Sequence, residues 1–271
     1  MDTFRDFRSE QPTPMPDLKR FFLAQGFKPS DEELALWQQV RACSRCRANP
    51  LVAKVCSSAT GHASCRINGY ALNIESPLSD SPICRGKYIG LGAKGTVMFI
   101  GMNPGTSRVD GDRALAGDAR SAGGILQAFI RHFLPEGTDP FSRFYFTDLV
   151  KCSTVGNKLQ YSTGDGMAVV DNCFEFLLRE LQMVKPKRLV LLGKPVRDAF
   201  SARLGALGLC SAPVCLPVHT AANQKPAVLT LRDLPGPIEV FAFPNTSRRQ
   251  INFNMGGDAD GFREWFRAVV A

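Results

Sequence analysis

The sequence predicts a three-layer α/β/α sandwich around a short, mainly parallel central sheet. Three observations carry this. Four short apolar runs, at 96–102, 144–150, 188–192 and 238–243, are separated by stretches of helical periodicity. The runs are continuous rather than alternating, as strands buried on both faces require. Strands that alternate with helices connect in parallel, with the helices laid on both faces of the sheet. The 271 residues suffice for one such domain with a full core, so 1–271 is read as a single domain.

In chain order, residues 1–30 carry Pro12, Pro14, Pro16 and Pro29, with one short helix expected over 17–25. Ser30 is a helix cap, and Asp31, Glu32 and Glu33 suit the positive end of a helix. That helix continues through Leu34, Leu36, Trp37 and Val40 to the first cysteine pair, making 1–46 an N-terminal helical segment. Residues 47–94 lack periodicity and read as an insertion or long functional loop. The first strand, 96–102, leads to a Gly-rich loop and a helix over 121–133. A strand over 144–150, a helix over 171–184 and a strand over 188–192 follow, the last ended by Gly193. A helix over 195–204, a strand over 238–243 and a helix over 257–270 complete the chain. In parallel sheets the site lies at the carboxyl ends of the strands, so the loops after Met102, Val150, Gly193 and Phe243 are expected to hold the chemistry.

The formal net charge of +8 and the pI of about 9.1 favour a polyanionic partner such as nucleic acid, although an unrelated basic enzyme can have the same composition. No apolar run approaches the roughly 20 residues of a membrane span, and the first twenty residues have no apolar signal core. A cytoplasmic location, no membrane partner and a monomer are the expectations. Nine cysteines, an odd number without an export signal, argue against a disulfide framework and for metal or cluster ligation by some of them.

Cys43 and Cys46 form a C-x2-C pair, Cys152 follows the second strand, and Cys173 lies on the helix over 171–184, at its start. Four thiolates from separated segments suit an iron–sulfur cluster or a zinc ion, and a zinc site with Cys56 and Cys65 competes with this reading. The run YFTDLVKC at 145–152, followed by DNCFEFLLRELQMVKPKRLVLLGKPVRDAF at 171–200, resembles the cluster-bearing uracil-DNA glycosylases of families 4 and 5. Those enzymes share the early C-x2-C, the Val-Lys-Cys strand end and a fourth cysteine that opens a helix. The resemblance runs from about residue 34 to the C-terminus, interrupted by 47–94. It implies the uracil-DNA glycosylase fold and a 4Fe–4S cluster on Cys43, Cys46, Cys152 and Cys173, mainly structural in role.

Gly101-Met102-Asn103-Pro104-Gly105 is on its own a tight turn. It resembles the water-activating motif of that superfamily, in the form with Asn that is typical of its thymine-DNA and single-strand-selective branches. Cleaving an N-glycosidic bond passes through an oxocarbenium-like sugar. The protein must hold a water and stabilise charge on the leaving base. Asn103 can position that water but is no strong general base, so a modest rate is expected. Gly101, Met102, Pro104, Gly105 and Leu115 are expected to line the base pocket. Asn245-Thr246-Ser247-Arg248-Arg249 resembles the DNA-contacting loop of the thymine-DNA branch, with Thr246 and Ser247 on phosphate and Arg248 or Arg249 filling the gap left by a flipped nucleotide. A solvated basic turn is the competing reading of that segment.

Asp148 stands where uracil-removing relatives carry Asn. A carboxylate cannot donate to uracil O4 unless protonated, but it accepts from an exocyclic amine such as cytosine N4. An Asp turned into a local hydrogen bond is the alternative. Ala114-Leu115 replaces the Pro-Phe of relatives, which leaves room beside the base. The expectation is a monofunctional DNA glycosylase in which Asn103 and Asp148 carry the chemistry, acting on a cytosine-type base, with room for a hydroxymethyl or glucosylated group at position 5. Such bases occur in phage DNA, which points to phage defence. A uracil or deaminated-base repair glycosylase and a non-catalytic DNA-binding member of the fold are the alternatives.

Overall fold

The computed structural model describes residues 28–43, 45–46, 49–51, 66–67, 70–71, 90–103, 122–152, 154, 163–209, 226–232, 234–244 and 259–270. The expected helix over 17–25 lies outside them. The order of elements is α1 (Asp31–Ala42), β1 (Arg66–Ile67), β2 (Tyr70–Ala71), β3 (Leu91–Gly92), β4 (Val97–Gly101), α2 (Ala122–Phe133), β5 (Tyr145–Asp148), α3 (Gly164–Val184), β6 (Arg188–Leu192), α4 (Lys194–Ala206), β7 (Ala227–Thr230), β8 (Pro237–Phe243) and α5 (Ala259–Val270).

β1 and β2 form a two-residue antiparallel pair of their own within 47–94. The other six strands make one sheet in the order β3-β5-β4-β6-β8-β7. Its inner pairs, β5 with β4, β4 with β6 and β6 with β8, are parallel, and both edge strands are antiparallel. Every residue of β4 and β5 is buried, as is β6 after Arg188, which accounts for their unbroken apolar character. The expected α/β class with a mainly parallel sheet is what the protein adopts.

Helices cover both faces. Thr147 of β5 bonds Glu180 of α3, and α3 in turn packs against α1 and α4, with Phe174 and Phe200 at 5.8 Å. On the opposite face Phe266 of α5 stacks on Phe99 of β4 at 6.1 Å and meets Phe243 of β8 edge-on at 5.5 Å. Phe133 of α2 lies 5.7 Å from the same ring. Successive strand residues face opposite ways, so Phe146 and Asp148 share this second face while Tyr145 and Thr147 look toward α3.

The cap at Ser30 forms as a full capping box. Its hydroxyl accepts from Glu33 N–H at 3.2 Å, and the Glu33 carboxylate accepts from Ser30 N–H at 2.7 Å. Lys94 bonds the same carboxylate at 2.9 Å and ties α1 to the turn before β4. α3 departs from expectation. It starts at Gly164, capped by Thr163, rather than near 171, so Cys173 sits mid-helix and not at a helix start. Thr163, accepting from Gly166 N–H, and Asp165 in the first turn supply the start signal that two early glycines disguise. α3 ends on Lys185, in the left-handed region at φ 49°, just before Pro186, which cannot continue a helix.

Residues 91–92, which fall within the stretch expected to be irregular, belong to the main sheet as edge strand β3. Gly92 has φ +133°, and a Cβ there would stand 2.0 Å from the Phe144 carbonyl oxygen, so only glycine fits this contact. β7 was not expected either. Only Leu229 of its four residues is buried, so it shows no apolar run.

Phe266 joins three elements through its ring. Phe266→Ala should cost about 3–5 kcal/mol, read as a lower urea midpoint at unchanged slope in equilibrium unfolding.

Candidate active site

β4 and β5 end side by side. The parallel register pairs Gly101 with Asp148, and the pairing continues past both strands: Leu149 N–H donates to Gly101 O at 2.8 Å and Val150 N–H to Met102 O at 2.9 Å. The turn after β4 is thus held along the extension of β5. Asn103 comes next, half-buried, and its Nδ2 donates to the hydroxyl of Thr154 at 3.1 Å. Thr154 is 0% exposed, and Asp148 is 7% exposed. An amide and a carboxylate therefore project from adjacent strand ends at the carboxyl edge of the sheet. Together they can hold a water and accept from a polar group of a bound molecule. At the same edge Gly193 N–H donates to Phe243 O at 2.6 Å, joining the ends of β6 and β8.

Beneath this edge lies a buried ion pair. Lys151 Nζ meets Glu180 Oε2 at 2.5 Å, with the two side chains 1% and 0% exposed. The same ammonium donates to Thr147 Oγ1 at 2.8 Å and to the carbonyl oxygen of Asp148. The Thr147 hydroxyl donates to Glu180 Oε2, and the other carboxylate oxygen accepts from Gly90 N–H. Two charges taken out of water cost several kcal/mol each unless such bonds satisfy them. Here the satisfied pair locks the end of β5 to α3 and to the chain entering β3.

The segment carrying Cys43 and Cys46 lies on α3. Asn172 donates to Cys46 Sγ at 3.4 Å and to the carbonyl oxygen of Arg45, while Arg45 reaches back to Asn172 O at 3.2 Å. The Arg45 guanidinium pairs with Glu175 at 2.7 Å and sits 5.3 Å from the centre of the Phe176 ring. Its hydrogen bond to Glu175 raises its pKa, with smaller contributions from Cys43 and Cys173. Cys173 Sγ accepts from Lys151 N–H at 3.4 Å. Its interaction with the Cys152 thiol, and then burial, push the Cys173 thiol well up. None of the four described cysteines is in a disulfide; three are buried and Cys43 is half-buried. Among the described residues no three Cys, His, Asp or Glu side chains already converge on a metal-holding centre.

The family model for the uracil DNA glycosylase superfamily matches residues 89–269, well over half of the chain. The chain belongs to the uracil-DNA glycosylase superfamily. Members of this superfamily are DNA glycosylases, hydrolases that act on DNA. No curated protein matches the chain. The match begins one residue before the backbone N–H that Glu180 binds and ends inside α5, so it spans the whole six-stranded sheet. None of the described helices is long and apolar enough to cross a membrane.

Of the residues singled out from sequence, Gly101, Met102, Asn103 and Asp148 come together at one edge of this glycosylase fold. Below it Cys46 lies against Asn172, and Cys173 against the backbone of Lys151, next to Cys152 in the chain. Pro104, Gly105, Leu115 and the run Asn245, Thr246, Ser247, Arg248 and Arg249 lie outside the described residues, as do Cys56, Cys65, Cys84, Cys210 and Cys215. Thr154 and the Lys151–Glu180 pair were missed. A signal for Glu180 was present: it falls on the apolar stripe of α3 with Cys173, Phe176, Leu177 and Val184, where an exposed acid has no place.

Removing one partner of the pair leaves the other charge buried alone. Lys151→Met and Glu180→Gln should each cost about 3–5 kcal/mol. The double variant should lose clearly less than the two losses combined, as measured by urea unfolding.

Proposed function

We propose that this protein is a monofunctional DNA glycosylase. In this reading Asn103 positions the hydrolytic water and Asp148 reads the base, which is of the cytosine type. The observation that carries it is the register that sets Gly101 against Asp148, so that the Asn103 turn and the carboxylate share one strand edge. As the water oxygen bonds to the sugar C1′, the C1′–N bond breaks and its electron pair leaves with the base; the proton the water sheds passes to solvent, from which the released base nitrogen is protonated. Asn103 orients the water without removing its proton. Asp148, as a carboxylate, accepts from the exocyclic amine of cytosine and offers nothing to uracil O4. Lys151 is no candidate for a lyase nucleophile, since its ammonium is buried on Glu180. The replacement of Pro-Phe by Ala114-Leu115 supports room for a 5-hydroxymethyl or glucosylated group, and a role against phage DNA follows from such a substrate.

The test is release of free base from duplex oligonucleotides carrying uracil, cytosine, 5-hydroxymethylcytosine or its glucosylated form. The cytosine-type duplexes should be cut in preference to uracil. Asp148→Asn should move the ratio toward uracil by about tenfold or more. Activity on uracil alone would instead support the repair-glycosylase reading and sink the cytosine one.

The donor set fits a 4Fe–4S cluster held by Cys43, Cys46, Cys152 and Cys173. The thiols come from three segments packed on one another, and three of them are buried. Soft thiolate donors suit iron–sulfur or zinc. A bound cluster would supply mainly a structural cross-link between the N-terminal segment, the end of β5 and α3. Purified protein should be brown, with iron and acid-labile sulfide in equal amounts, and Cys173→Ser should lose both. A colourless protein loaded with zinc would refute the cluster.

A further inference from the structure

We propose that Thr154 is a positioning residue for the glycosidic step, its hydroxyl holding the Asn103 amide so that Oδ1 is the end offered to the attacking water. The inference rests on the glycosylase reading above. Its basis is the hydrogen bond from Asn103 Nδ2 to Thr154 Oγ1 at 3.1 Å, which joins a half-buried amide to a wholly buried hydroxyl. The anchor is in the core and the amide is at the rim.

The two ends of an asparagine amide are alike in shape but opposite in function. Its terminal torsion is broad, so an isolated asparagine turns either end to a ligand at little cost. A water attacking the sugar must keep a lone pair aimed at C1′ and point a proton elsewhere. An amide oxygen accepts that proton's hydrogen bond and leaves the lone pair exposed, whereas an amide N–H would donate into the lone pair and oppose attack. Committing Nδ2 to Thr154 therefore selects the useful end. Reversing the amide would forfeit the existing bond or need the hydroxyl to turn as well, and a net hydrogen bond is worth about 1 kcal/mol.

Thr154 can hold this post because the chain is anchored at Lys151 and Cys152. Two residues earlier Cys152 is buried. Lys151, next to it, is bonded to Glu180, Thr147 and Asp148 O, and its N–H to Cys173 Sγ. The water-orienting amide thus rests on the same stretch of backbone that carries the base-reading carboxylate.

The experiment uses the full chain and whichever of the four duplexes above the wild type cuts fastest. Thr154→Val keeps the volume and removes the acceptor; Thr154→Ser keeps the acceptor. Thr154→Val should lower the single-turnover rate roughly 10–100-fold, as misplacement of a reacting group does. DNA affinity, by fluorescence anisotropy, and thermal midpoint should stay close to wild type. Thr154→Ser should return the rate to within about threefold of wild type. If Thr154 acts through Asn103, Thr154→Val should add no further loss to Asn103→Ala. A Thr154→Val rate equal to wild type, a Thr154→Ser enzyme as slow as Thr154→Val, or a Thr154→Val loss that recurs in full on Asn103→Ala would each overturn the proposal. If Thr154→Val does not fold, Thr154→Ala replaces it with the same expectations. If Asn103→Ala is too slow to measure, the Ser-against-Val comparison decides. Should the wild type release none of the four bases, the glycosylase reading fails and this inference with it; release by wild type with an indifferent Thr154→Val removes this inference alone.

Discussion

The ammonium of Lys151 ends on the carboxylate of Glu180 with neither group in contact with water. A charge in that position is costly unless it is bonded on every side, so the groups that satisfy it are held to a narrow range of positions. Those groups are spread over the fold: Thr147 and the Asp148 carbonyl on β5, Glu180 on α3, and the Gly90 amide on the approach to β3. Apolar packing alone would let a strand end shift by fractions of an ångström as side chains adjust. A hydrogen-bonded ion pair does not slide in this way, because each bond is directional. The carboxyl end of β5, where the candidate chemistry stands, is therefore held on several sides at once.

The parallel sheet does the rest. Because β4 and β5 run in the same direction, their carboxyl ends share an edge, and residues far apart in sequence become neighbours without any long loop between them. The extension of the ladder through Leu149 and Val150 carries order beyond the strands and into the turn that ends at Asn103. On the far side of β5, the helix bearing Cys173 lies along the sheet, and the Cys43–Cys46 segment lies along that helix. The N-terminal segment is thereby connected to the strand edge through two layers of contacts.

How much of this the sequence disclosed depended on how each residue meets the core. The strand at 188–192 was read to the residue, because a strand buried on both faces has to be apolar throughout. The Ser30 cap was equally plain, since a capping box is a local affair of four residues. β7 escaped notice because an edge strand with one buried residue has nothing to distinguish it from a loop, and β3 because two residues make no pattern. The start of α3 was placed seven residues late, since Gly164 and Gly166 outweighed the Thr163 cap in a reading by propensity. In the site, Asn103 and Asp148 were legible as departures within a known motif. Thr154 and the Lys151–Glu180 pair were not, because they act through a partner 51 and 29 residues away, and no local pattern announces such a pairing.

The eight residues from Thr147 to Thr154 hold a core hydroxyl, the candidate base reader, the buried cation, a cysteine of the proposed cluster set and the hydroxyl bonded to Asn103. Such crowding has an evolutionary cost. A substitution in this stretch touches several duties at once, so few are neutral and their effects do not add. New base preferences in descendants of this protein are therefore easier to reach through the loops that face the strand edge, which can vary one at a time. Asp148 itself would change rarely, and only alongside a lineage's change of substrate.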